Sequence, residues 1–433
     1  MRIGVIGLGY LGATHAACMA ELGHEVIGVE IDEYKRQLLA SGEVPFYEPG
    51  LPELLKKHID SGRLTITSSN AEAAQFANIF FIAVGTPQKK GEYGADLRFV
   101  KSAIDELVPQ LTRDTVIYGK STVPVGTCRS LAERADELSK SVRVEIAWNP
   151  EFLREGYAVN DTLHPDRIVL GVEPFGIAEE LAREIYAAPI DRGTPFLVTD
   201  PPTAELVKTS ANAFLATKIS FINAIAEVCE AAGADVTKVA DAIGYDSRIG
   251  RRFLNAGLGF GGGCLPKDIR AFMARAGELG AAEALSFLRE VDNVNMRRRT
   301  RVVDLARNAC GGTLLGARVA ILGAAFKPES DDVRDSPALN VAGQIQLQGA
   351  TVTVFDPKAV ESSKRLFPTL EYADSTLDAC SNADVVLVLT EWKEFVGLDP
   401  TDLDPVVNSK VIIDGRMCLD PQIWQDAGWK YVR

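Results

Sequence analysis

The run Phe260-Gly261-Gly262-Gly263-Cys264-Leu265-Pro266-Lys267-Asp268 combines the features that a reactive thiol needs. Three consecutive glycines let a backbone come close to a ligand, and Pro266 suits the first turn of a helix. Cys264 is therefore predicted just before a helix N-terminus, with the cation of Lys267 nearby. Both surroundings favour the thiolate, the form that attacks a carbonyl carbon. The other six cysteines (Cys18, Cys128, Cys229, Cys310, Cys380 and Cys418) stand in no such setting and read as inert core residues. They are scattered and form no C-x-x-C pair, so neither a disulfide framework nor a metal site is expected, and the thiols are expected reduced in a cytoplasmic protein.

A second kind of chemistry is marked by Gly7-Leu8-Gly9-Tyr10-Leu11-Gly12, which follows a β-rich run and opens a helix. Glycines there permit a tight turn and bring the backbone close to a pyrophosphate at the helix N-terminus, where unpaired N–H groups favour anions. Glu30 ends the next β-rich run, placed to accept from ribose hydroxyls and to repel a 2′-phosphate, which favours NAD over NADP. Asp32 is the other acidic candidate and reads better as a helix cap. Val84-Gly85-Thr86-Pro87 and Lys120-Ser121-Thr122-Val123-Pro124-Val125-Gly126-Thr127 each follow a further β-rich run, and ligands of open α/β sheets sit beyond such strand ends. Lys208 and Asn212, four apart on a helix, share one face. Asn149-Pro150-Glu151-Phe152-Leu153-Arg154-Glu155-Gly156 sets two carboxylates four apart behind a proline, equally compatible with an ordinary helix start.

The elements that must position these groups follow from pattern. A chain of 433 residues fits two or three domains. Short β-rich runs alternate with helical stretches up to about residue 120 and again from about residue 318, so the fold class is α/β with two doubly wound domains. Between them, the stretch from Pro201 to Gly233 has no internal Gly or Pro after Pro202 and reads as one long helix. The boundaries drawn are 1–200, a helical connector 201–312, and 313–433. With 46 Lys+Arg against 59 Asp+Glu, the net charge of −13 offers no footprint for nucleic acid or anionic lipid. The longest apolar runs fall far short of the ~20 residues of a membrane span. The first twenty residues imitate a secretory signal, but the three glycines explain them better.

In this order, the segments resemble the nucleotide-sugar dehydrogenases of the UDP-glucose/GDP-mannose dehydrogenase family over essentially the whole chain. Tyr47-Glu48-Pro49-Gly50-Leu51, His164-Pro165-Asp166-Arg167, Phe326-Lys327-Pro328 and Asp332-Val333-Arg334-Asp335-Ser336-Pro337 add to the match. The resemblance implies two Rossmann-like domains, the first for NAD and the second for UDP, joined by a long central helix that builds a homodimer. It makes Cys264 the nucleophile, with Thr122, Glu155, Lys208, Asn212 and Asp268 as its catalytic companions. Glu30, Lys35, Thr86, Thr122, Glu155, Lys267 and Arg334 would contact NAD beside Gly7, Gly9 and Gly12. Glu151, Phe152, Leu153, Lys208, Asn212, Phe253, Leu254, Asn255, Ala256, Gly257, Gly261 and Lys327 would line the sugar nucleotide, and Arg248 would reach the neighbouring subunit's sugar.

The departures are Gly263, where serine is common, Leu265, often phenylalanine, and Glu30, usually aspartate. The implied reaction is a four-electron, NAD-dependent oxidation of UDP-glucose to UDP-glucuronate. A water held by Thr122 and Asp268 assists proton removal, Lys208 stabilises the oxyanion, and Cys264 carries a thiohemiacetal and then a thioester, with Glu155 or Asp268 as base for hydrolysis. GDP-mannose or a UDP-N-acetylhexosamine are the alternative substrates. A two-electron hydroxyacid dehydrogenase and a silent NAD-binding regulator are rival readings, separated by counting NADH per substrate.

Overall fold

The structure is a computed structural model that describes residues 1–139 and 141–433. The chain divides into two compact units, Met1–Ala211 with Arg270–Gly280, and Asn212–Ile269 with Ala281–Arg433.

The first unit is built on eight strands: β1 (Arg2–Ile6), β2 (Glu25–Val29), β3 (Leu64–Thr67), β4 (Ile79–Ile82), β5 (Thr115–Gly119), β6 (Val144–Trp148), β7 (Ile168–Gly171) and β8 (Phe196–Thr199). They lie in the order β3-β2-β1-β4-β5-β6-β7-β8. Neighbours run parallel except β6 and β7, which meet antiparallel at Trp148 and Gly171. The doubly wound sheet expected from the sequence thus carries one reversal. Helices cover both faces, so the strands are apolar on both sides. Ile3 and Val5 pack with Ala13, Ala16 and Ala17 of the helix Tyr10–Glu21, while Ile6, Ile27 and Ile82 pack with Ile104 and Leu107 on the other face. The strand order switches between β1 and β4, the position where such sheets open a crevice for ligand.

The second unit holds a six-stranded parallel sheet of β9 (Arg318–Leu322), β10 (Thr351–Phe355), β11 (Glu371–Tyr372), β12 (Val385–Val388), β13 (Val411–Asp414) and β14 (Lys430–Val432), ordered β11-β10-β9-β12-β13-β14. Its central strands are almost continuous Val, Ile and Leu, all buried. The predicted long helix is Pro201–Ala232, 32 residues, and the division between the units falls within it. Asp200 Oδ1 accepts from Thr203 N at 2.8 Å at its start, and Gly233, with φ +70°, follows its end. Among the described residues, no helix is long and apolar enough to cross a membrane.

Each sheet has an acidic residue directly or almost directly after its second strand, and the two are used differently. Glu30, after β2, accepts Leu8 N at 3.1 Å on one oxygen and Asp32 N at 2.9 Å on the other. Asp356, after β10, accepts Ala324 N, Ala325 N and Trp392 Nε1 on Oδ2 and Lys358 N and Ala359 N on Oδ1, at 2.7 to 3.1 Å. Five donors saturate a buried carboxylate, whereas one donor per oxygen leaves Glu30 lone pairs for a ligand. Asp356→Ala orphans several buried N–H groups at once and is expected to lower stability by about 3 kcal/mol or more, read from denaturant unfolding.

Candidate active site

The turn after β1 is shaped by what a side chain would strike. A Cβ on Gly12 would lie 1.8 Å from the Gly7 carbonyl oxygen, and one on Gly7, whose φ is +87°, would lie 2.6 Å from Val84 Cγ1. A Cβ on Gly9 would meet nothing within 4 Å, so the turn is open at the glycine that caps the helix Tyr10–Glu21. The first amides of a helix have no intrahelical partner, and an anion can approach them there. Glu30, buried beside this turn through its bond to Leu8 N, retains acceptor capacity for hydroxyls. These features fit NAD: backbone amides for the pyrophosphate and a carboxylate for the ribose. Asp32 caps the next helix by accepting Lys35 N at 2.9 Å, as expected, and this sets the half-buried Lys35 in its first turn. Thr86 Oγ1 donates to the Thr122 carbonyl at 2.7 Å, and Ser121 Oγ to the Val84 carbonyl at 2.7 Å, so the segments after β4 and β5 are tied together.

Also in the first unit, Lys208 Nζ lies 3.0 Å from Glu151 Oε1 and 5.6 Å from the centre of the Phe152 ring. Glu151 Oε2 accepts Leu153 N at 2.7 Å, and the Arg167 guanidinium lies 3.8 Å from the centre of the Phe152 ring. Lys208, Glu151, Phe152 and Leu153 are thus brought together, with the half-buried Glu155 two residues beyond Leu153. The alternative of an ordinary helix start fails for residues 149–156: the helix here begins only at Ala158. Two contributors were given no role of their own by the sequence reading. Glu205, one helical turn before Lys208, is buried and accepts Gly126 N at 2.7 Å and Cys128 N at 2.6 Å, fixing the helix to the loop that bears Thr122. Lys120 is buried, donates to Asn149 Oδ1 at 2.9 Å, and is lowered by burial to about 8. Neither carries a local sequence signal, since each partner is distant in the chain.

In the second unit, Cys264 immediately precedes the helix Leu265–Glu278, and its carbonyl accepts Asp268 N at 3.0 Å, which makes it the cap. It is exposed, whereas Cys18, Cys128, Cys229 and Cys380 are buried and Cys310 and Cys418 half-buried. Burial pushes the Cys18 and Cys380 thiols up to about 12 and raises those of Cys128, Cys310 and Cys418 as well. Asp268, buried, accepts Asn212 Nδ2 at 2.6 Å and pairs with Lys267 Nζ at 2.5 Å. Lys267 therefore directs its charge at a carboxylate.

The glycines leading to Cys264 are packed against other chain segments. A Cβ on Gly261 would fall 2.4 Å from the Asp335 carbonyl oxygen, and one on Gly263 2.3 Å from Arg334 Cζ. A side chain at the latter place would have to displace this guanidinium, the mobile end of the Arg334 side chain. Upstream, Gly257 N donates to Asn223 Oδ1 at 2.8 Å, Asn255 Oδ1 accepts Arg251 Nη1 at 2.7 Å, and Leu254 and Ala256 are buried. Phe253 has φ +66°, a strained conformation for an aromatic residue of the kind that gathers at ligand sites. Lys327 Nζ lies over the Phe326 ring, Arg334 pairs with Asp332 at 2.8 Å, and Arg248 is exposed and pairs with Asp246 at 2.6 Å. Arg416, also missed by sequence, donates to the carbonyls of Leu389, Gly259 and Phe326 at 2.8 to 3.1 Å.

Residues 1–190, 202–297 and 320–421 match, in turn, the NAD binding, central and UDP binding domains of the UDP-glucose/GDP-mannose dehydrogenase family. The chain belongs to this family. It is an NAD-dependent nucleotide-sugar dehydrogenase. It is 41% identical to the UDP-glucose 6-dehydrogenase of Rhizobium meliloti (strain 1021) over 100% of this chain and 98% of that one. It is 41% identical to UDP-glucose 6-dehydrogenase TuaD of Bacillus subtilis (strain 168), over 99% and 92%. Its fold is similar to a UDP-glucose dehydrogenase of Pyrobaculum islandicum, with a TM-score of 0.91, 38% identity and coverage of 100% and 97%. A chain with one exposed cysteine should alkylate selectively. With limiting iodoacetamide at pH 8, peptide mapping is expected to find the adduct on Cys264, with loss of activity in step; labelling spread over all seven would contradict the contrast in exposure.

Proposed function

We propose that this dehydrogenase oxidises UDP-glucose to UDP-glucuronate, with Cys264 holding the sugar between the two oxidations. The observation that carries the reading is Cys264 itself, exposed at a helix N-cap on a glycine run, in contrast to the six other cysteines. The full-length identity to relatives named UDP-glucose 6-dehydrogenase favours this sugar.

NAD, when bound, supplies a two-electron hydride acceptor, and an alcohol taken to an acid needs two. We assign the turn of Gly7, Gly9 and Gly12, with Glu30, Lys35, Thr86, Thr122, Glu155, Lys267 and Arg334, to its binding. Lys208, paired with Glu151 at 3.0 Å, donates from Nζ to the oxygen that gains negative charge as C6 is oxidised. Asn212 orients the Asp268 carboxylate, which with Thr122 manages the proton through water. Cys264 Sγ adds to the aldehyde, so the intermediate stays attached. Oxidised, that thiohemiacetal becomes a thioester, which water cleaves with Glu155 or Asp268 as base. Glu151, Phe152, Leu153, the residues from Phe253 to Gly257, Gly261 and Lys327 hold the sugar nucleotide.

The domain boundaries 1–200, 201–312 and 313–433 are retained in this reading, with the central part as the dimer element. Phe214, Phe221 and Val228 recur every seven residues along the long helix and are 66%, 51% and 63% exposed. Such a stripe suits a second copy of the chain, and Arg248 is exposed as its role across subunits requires.

Two measurements test the reading. With a panel of UDP-glucose, GDP-mannose and UDP-N-acetylglucosamine, the wild type should release ~2 NADH per UDP-glucose, and Cys264→Ser should lose acid formation by at least about 10²-fold; full conversion by the variant overturns the covalent role. Phe221→Glu places a charge in the stripe and is expected to shift the mass from dimer to monomer in light scattering.

A further inference from the structure

Tyr47-Glu48-Pro49-Gly50-Leu51 supplies none of the groups assigned above, yet it contains a carboxylate that is only 2% exposed. Glu48 Oε2 accepts Gly156 N at 2.6 Å and Oε1 accepts Ala158 N at 2.7 Å. The Tyr10 hydroxyl donates to the same Oε2 and accepts Gly156 N at 3.0 Å. Tyr10 lies within the glycine turn, and its ring packs on Phe46 with centroids 4.9 Å apart. Burial, then Glu48, raises the phenol far above its ordinary range, so it remains a neutral donor. One buried carboxylate thus joins three pieces of the first unit: the turn for NAD, the loop before Leu51, and the corner where residues 151–155 turn into the helix Ala158–Leu163.

We infer that Glu48 is a positioning residue for the sugar nucleotide. It touches neither ligand; it sets where the segment from Glu151 to Glu155 lies by gripping the two amides that follow it. The inference rests on the reading that this segment contacts the sugar nucleotide. Two main-chain donors converge on Glu48, and an amide in its place would turn an N–H toward one of them, freeing the corner on one side. The glycine turn keeps its own ties, Gly7 N to the Val29 carbonyl at 2.9 Å and Ala13 N to the Gly9 carbonyl at 2.9 Å, which do not involve Glu48. A displaced segment should therefore cost reaction with the sugar without matching loss of cofactor binding.

The test is Glu48→Gln in the full-length enzyme, with steady-state kinetics on UDP-glucose and NADH titration by fluorescence. Expected is a fall in kcat/KM for UDP-glucose of about 10- to 100-fold, in line with the cost of about 1 Å of misplacement, and an NADH Kd within about two-fold of wild type. Glu48→Asp, which keeps the charge with shorter reach, should recover part of the loss. Parallel losses in NADH affinity and kcat/KM, or unchanged kcat/KM in a folded variant, overturn the inference. Should Glu48→Gln not fold, Tyr10→Phe decides in its place. It keeps the ring against Phe46 and removes one donor, and about a three-fold fall in kcat/KM at constant NADH Kd is expected, whereas no fall overturns the inference. If Glu151→Ala and Glu155→Gln also leave kcat/KM unchanged, the underlying assignment of the segment fails; if they lower it while Glu48→Gln does not, only the role of Glu48 fails.

Discussion

A carboxylate taken out of water has to collect donors, and in these two units the donors at hand are the amides of turns that follow parallel strands. Glu30 collects Leu8 N and Asp32 N, Glu205 collects Gly126 N and Cys128 N, and Asp356 collects five donors. Asp414, closing β13, does the same with Arg416 N and Leu419 N. Each such group costs desolvation and returns a loop held in one geometry. The loops so held lie at the carboxyl ends of strands, where open α/β sheets place their ligands.

The same economy of donors separates two nucleotide sites built on similar sheets. In the first unit the acidic residue keeps room for hydroxyls and Gly9 stands open. In the second, Asp356 is saturated, and Gly323, with φ +106°, is followed by Ala324 and Ala325, whose amides the carboxylate consumes. The first arrangement suits a dinucleotide, and the second, matched to the family's UDP binding domain, has lost the acceptor that would read a second one.

For the thiol, selection works by exposure. Burial pushes most of the other cysteines up, which keeps them protonated, whereas Cys264, at the head of a helix, is exposed. Gly261 is required by the closeness of the Asp335 backbone oxygen and Gly262 by its φ of +83°, so the glycine run reflects packing within the second unit as well as access for a ligand.

The sequence by itself determined what is local or periodic: the α/β class, the glycine turn after β1 with Glu30 directly after β2, the cap at Asp32, the long helix to within a few residues, and Cys264 at a helix start. It gave no sign of β3, β6, β7, β8, β11 and β14, short strands with weak alternation whose pairing is decided by neighbours already in the sheet. Nor did it disclose the reversal at β7, the buried Lys120, or the grips of Glu48, Glu205 and Arg416. The side-chain hydrogen bonds of Lys120, Glu48, Glu205 and Arg416 join residues from 27 to 157 positions apart. Only the folded chain brings such partners within reach, and a side chain's type does not reveal which distant amide or carbonyl it will meet.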